Sequence, residues 1–112
     1  MQLNHINLTV QDVDKVEAFL VRYFELTPLD TSRKNIQILQ DDAGMIIAIM
    51  KGRSPVYPPN FHVGFIQPSR EKVDEINARM VTDGLKVDPP TEEHGWTFYV
   101  DVPGGFSVEV LC

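Results

Sequence analysis

The chain has 112 residues, 43% of them hydrophobic and 23% charged, with a formal net charge of −6. That size and mixture suit one folded domain burying about two-thirds of its surface, and no stretch approaches the ~20 apolar residues that a membrane span needs. Lys and Arg number 10 against 16 Asp and Glu, with no basic stripe to follow a phosphate backbone, so neither membrane nor nucleic acid is an expected partner.

The opening stretch MQLNHINLTV lacks a basic region followed by an apolar core, so no secretion signal is expected. Its alternation reads as a strand, with Ile6, Leu8 and Val10 on one face and Leu3, His5, Asn7 and Thr9 on the other. Asp12 is placed to cap a helix of about 12 residues, in which Val13, Val16, Phe19 or Leu20 and Tyr23 or Phe24 recur at helical spacing. Pro28 marks the expected end of that helix. Three short strands are predicted near 28–32, 35–40 and 45–51, the last two joined by the turn DDAG. The segment GRSPVYPPN, residues 52–60, holds three prolines and reads as a linker.

The order then repeats. FHVGFIQ is a strand, Pro68-Ser69 opens a second helix with Val73, Ile76 and Met80 as its apolar stripe, and Gly84 stops it. Strands are predicted near 85–88, 96–101 and 106–111, with DVPGG turning the last hairpin. Aligning the halves places His62 on His5 at an offset of 57, and GFSVEVL (105–111) on GMIIAIM (44–50) at an offset of 61. The single domain 1–112 is therefore read as module one (1–51), linker (52–60) and module two (61–112). Its fold class is α+β, βαβββ–βαβββ, because runs of strands follow each helix.

In three strands a polar residue sits on the face away from the helix: His5, His62 and Glu109. A histidine alone at a strand start is more often structural, and a lone edge glutamate can simply discourage strand pairing. The repeated histidine shifts the balance. Two imidazoles and a carboxylate suit a divalent Fe, Mn, Zn or Ni ion with open positions, and three protein ligands leave room for water and substrate. The lone cysteine, Cys112, adds no thiolate site and no internal disulfide, in keeping with a cytoplasmic location.

LNHINLTVQDVDKVEAFL, NFHVGF and GWTFYVDVPGGFSVEVL together resemble the vicinal oxygen chelate superfamily, the glyoxalase, bleomycin-resistance and extradiol-dioxygenase group, over essentially the whole chain. The resemblance implies two modules forming a U-shaped mixed sheet with helices on the outer face. It also implies metal ligands at the positions of His5, Ala48, His62 and Glu109. Ala48 departs from the pattern, since alanine binds no metal, and this counts against glyoxalase I. What remains resembles dioxygenases and metal-dependent fosfomycin-resistance enzymes, which act on small organic substrates chelated through neighbouring oxygens. The alternative is a metal-free protein that sequesters a drug, as bleomycin-resistance members do. Tyr99, Trp96, Met50, Tyr57 and His94 are candidate substrate-binding residues, with Arg33 and Arg53 as further candidate groups. A homodimer is expected, because a lone U-shaped sheet leaves its edges open.

Overall fold

The structure is a computed structural model that describes residues 1–29 and 33–112. In chain order the elements are β1 (His5–Val10), α1 (Val13–Phe24), β2 (Thr27–Leu29), β3 (Ile36–Gln40), β4 (Ile46–Lys51), β5 (His62–Ile66), α2 (Arg70–Thr82), β6 (Thr91–Glu92), β7 (Trp96–Asp101) and β8 (Ser107–Leu111). Two compact units result: residues 1–57 with 103–105, and residues 58–102 with 106–112. No helix is long and apolar enough to cross a membrane.

Each unit is one βαβββ module with a four-stranded mixed sheet, in the orders β1-β4-β3-β2 and β5-β8-β7-β6. The first and last strands of each module pair in parallel, which requires a crossover, and the helix provides it. His5 lies opposite Ile46 and Asn7 opposite Ala48. In the second unit His62 lies opposite Ser107 and Gly64 opposite Glu109. Position 5 plus 57 is 62, and 46 plus 61 is 107, so strand register reproduces the two offsets found by aligning the sequence with itself.

In the first unit α1 packs on β3 and β4. Its buried residues are Val13, Val16, Phe19, Leu20 and Tyr23, and the sheet contributes Leu8, Val10, Leu39, Ile47 and Ile49 to the same core. Each such side chain contributes about 1.5–3 kcal/mol by leaving water. Asp12 is the N-cap, accepting from the Lys15 N–H at 3.1 Å. The helix runs for the expected 12 residues and stops before Pro28. Glu25 adopts a left-handed conformation (φ 56°) and returns its N–H to the Val21 carbonyl. Pro28 instead lies in β2, an edge strand, where its missing N–H is tolerated. The strand expected at 28–32 is thus observed as 27–29, and residues 30–32 lie outside the described residues.

In the second unit α2 packs on β7 and β8, covering Phe98, Val100, Val108 and Val110 with Val73, Ile76 and Met80. Ser69 caps it, accepting from the Lys72 N–H at 3.2 Å. The strand expected at 85–88 does not form. The Leu85 N–H turns back to the Met80 carbonyl at 2.9 Å, and buried Asn77 donates to the Asp88 carbonyl at 2.8 Å. Pro89 and Pro90 then offer no N–H donors, so pairing starts only at Thr91–Glu92.

Candidate functional site

Strand alternation leaves one face of the second sheet without a helix. β5 places His62, Gly64 and Ile66 there, β8 places Ser107, Glu109 and Leu111, and β7 places Thr97, Tyr99 and Asp101. Glu109 is central, with Gly64 on one side and Tyr99 on the other. It is also buried, at 6% exposure, while its two histidine neighbours keep 41% (His62) and 53% (His94) of their side chains in solvent.

The two carboxylate oxygens have different company. Oε1 takes the His94 Nε2 at 2.5 Å and the Thr97 hydroxyl at 2.9 Å. Oε2 faces the His62 Nε2 at 3.4 Å. Gly64 keeps that side clear, since even a β-carbon there would come within 4.0 Å of Oε2. Tyr99 meets the His62 ring edge to face, with ring centres 5.5 Å apart.

The outer nitrogen of His62 is committed. Nδ1 lies 3.1 Å from the Asn60 carbonyl, which can only accept, so Nδ1 carries a proton and Nε2 is the nitrogen turned to Glu109. In the first unit His5 repeats this arrangement, with Nδ1 at 3.0 Å from the Asn4 side-chain oxygen. In a ring whose Nδ1 donates to a carbonyl oxygen, Nε2 is the nitrogen that can bind a metal. Among the described residues, no three His, Cys, Asp or Glu side chains are already gathered as an ion cage.

Burial by itself would push the Glu109 carboxyl up. Hydrogen bonds from Thr97, His94 and Tyr99, with the charge of His94, outweigh it and hold the group below its ordinary value. The Tyr99 hydroxyl is pushed up by burial, then by its hydrogen bond to Glu109 and by the charges of Glu109 and Glu93. The Glu109 shift predicts acid sensitivity. A folded value below the unfolded one means that the unfolded chain binds more protons, so this stability is complete above the ordinary glutamate value and disappears as pH falls through the lower, folded one. Melting curves of wild type and Glu109→Leu between pH 7 and pH 3 are expected to show the wild type losing more ground on acidification. Parallel loss in both would contradict it.

The other sequence candidates are distributed differently. His94, read as a rim residue, is bound directly to Glu109. Trp96 requires a correction. It has the opposite parity from Thr97 and Tyr99, donates its indole N–H to Asp74 on α2 at 2.8 Å, and lies 5.1 Å under the Arg70 guanidinium. Its ring is spent on the helix side of the sheet. In the first unit the Tyr57 hydroxyl donates to the Thr9 carbonyl at 2.6 Å, tying the linker to β1, and Met50 lies against Asn7 on the open face. Arg53 is exposed. Arg33 lines a cavity of about 860 Å³ at the start of α1, together with Lys15, Lys34 and Lys51, and none of the proposed ligand residues lines it. Thr97 and Asn60 were not legible as site residues in the sequence. The available signal was that Thr97 shares a parity with Tyr99.

The glyoxalase/bleomycin resistance protein/dioxygenase superfamily model matches residues 2–110. The chain belongs to this superfamily. Among its relatives, fosfomycin resistance protein FosX of Listeria innocua is 30% identical over 92 residues, covering 78% of this chain and 68% of that protein. A structure of a possible glyoxalase from Bacillus cereus superposes with a TM-score of 0.94 at 46% identity, covering 100% of this chain and 99% of that one. A mutant FosX from Listeria monocytogenes, solved with Mn(II) and 1S,2S-dihydroxypropylphosphonic acid, gives 0.83 at 28% identity over 98% of this chain and 90% of that one. Ala48 sits opposite Asn7 just as Glu109 sits opposite Gly64.

Proposed function

We propose that this protein is a divalent-metal-dependent enzyme whose ligands are His5, His62 and Glu109. It acts on a small organic molecule held through two neighbouring oxygens, in the manner of its fosfomycin-resistance relatives more than of glyoxalase I. The observation that carries this reading is the His62–Glu109 pair. Nε2 and Oε2 face each other at 3.4 Å on adjacent strands, with the far nitrogen held by the Asn60 carbonyl. The donor set fits an ion of the Mn(II) type: imidazole nitrogen and carboxylate oxygen, without a thiolate. His5, the counterpart of His62 in strand register, with its Nδ1 likewise beside an amide oxygen, is the third ligand of the proposed set. Mn(II) and a phosphonate diol in a relative support both the choice of ion and an oxygen-rich anionic substrate.

A bound ion supplies Lewis acidity for charge that develops on a substrate oxygen. The chain itself does the rest. The Tyr99 hydroxyl, on the same face and 42% exposed, bonds Glu109 and can accept from a substrate hydroxyl or turn its proton to a substrate oxygen. Ile66 and Leu111 offer apolar surface beside the pair.

Titration calorimetry with Mn(II), Fe(II), Ni(II) and Zn(II) tests the reading, followed by phosphorus NMR of fosfomycin incubated with the loaded protein. About one ion per site is expected, with loss in His62→Ala. Absence of binding by all four ions would return the metal-free sequestering protein as the better account.

A further inference from the structure

We propose that His94 and Thr97 are positioning residues: they hold Glu109 by Oε1, so that Oε2 alone, on the His62 side, is the donor oxygen. The inference rests on the metal reading above. A carboxylate can turn about its last bond and can bind an ion through one oxygen or both. The partners of each oxygen decide which. Oε1 receives His94 at 2.5 Å and Thr97 at 2.9 Å, and two donors fill the lone-pair sites of one carboxylate oxygen. Oε2 faces His62 at 3.4 Å, with the side-chain-free Gly64 opposite, and the Tyr99 hydroxyl bonds the same carboxylate.

The two holders are seated independently. Thr97 is in β7 at 1% exposure, and its hydroxyl is also within 3.1 Å of the Val110 carbonyl. His94 comes from the loop between β6 and β7. The next residues anchor that loop: the Trp96 N–H donates to the Cys112 carbonyl, and the Cys112 N–H to the Trp96 carbonyl, each at 3.1 Å. The carboxylate is thus oriented before any ion arrives, and outer partners of this kind typically set 10–100-fold of metal affinity.

The test measures Mn(II) affinity by calorimetry and the visible spectrum of the Co(II) form for His94→Ala, His94→Gln, Thr97→Val and Thr97→Ser. His94→Ala and Thr97→Val are each expected to weaken Mn(II) binding about 10- to 100-fold. His94→Gln and Thr97→Ser keep a donor and are expected to recover most of it. The Co(II) bands should lose intensity in His94→Ala as the freed Oε1 joins the coordination. Wild-type affinity and an unchanged Co(II) spectrum in His94→Ala would overturn the proposal. Should Thr97→Val fail to fold, exposed His94 still decides the matter. If the wild type binds no Mn(II), the metal reading fails separately, and crystals of the metal-free double variant His94→Ala, Thr97→Val decide positioning. A turned Glu109 carboxylate supports it, and an unmoved one overturns it.

Discussion

Replacing Glu109 with leucine is expected to abolish divalent-metal binding while leaving the fold standing. In the proposed site glutamate is the anionic donor, and without it only two imidazoles would remain. The expected loss in affinity is at least about 100-fold, or roughly 3 kcal/mol. The cost to stability is expected to be small, within about 1 kcal/mol at neutral pH. Removing one member of a buried charged pair is usually expensive because the other is left in the dark without a partner. That does not apply here. His62 and His94 are about half exposed and return to water, while the Thr97 hydroxyl turns to the Val110 carbonyl already within reach. Leucine fills a similar volume beneath the open face. Calorimetric titration with Mn(II) and thermal melting, run on the same samples, separate the two effects. A variant that melts many degrees lower would mean that the carboxylate network holds the sheet together.

The reverse outcome, large for stability and indirect for the site, is expected from Gly95→Ala. A β-carbon at Gly95 would lie 2.6 Å from the Cys112 carbonyl oxygen, closer than such atoms approach. Neither side can give easily, because residues 96 and 112 are joined by two backbone hydrogen bonds. Overpacking against backbone costs about 1–3 kcal/mol, which for a domain of this size lowers the melting temperature by roughly 5–15 °C. Gly84→Ala is the control. Its φ is +85° but nothing lies within 4 Å of the new atom, so only the left-handed strain remains, about 1 kcal/mol. Gly95→Ala should melt below Gly84→Ala and bind Mn(II) more weakly, since His94 is the preceding residue. Equal melting of Gly95→Ala and wild type would show that the C-terminal residue yields freely.

Several features were legible without coordinates because they follow from local periodicity. Period-two alternation assigned His62 and Glu109 to the face opposite α2, and the internal repeat anticipated the strand register at both offsets, 57 and 61. Asp12 and Ser69 announced their helices by capping chemistry that needs only three neighbouring residues. Fold class followed from the order of these pieces.

Only tertiary structure decided the remainder. Alternation gives parity within a strand, yet it says nothing of where an irregular loop returns, so His94 could not be placed on Glu109 from TEEHGW. Trp96 belonged by parity to the helix face, but its commitment to Asp74 depends on where α2 lies. Residues 85–88 have the composition of a strand, but a strand needs a neighbour to pair with. There the Asn77 side chain and two prolines took that role away. Local sequence sets which groups an element can offer. Which partner each group finds is settled by contacts between residues distant along the chain, where hydrogen-bond satisfaction and packing outweigh propensity.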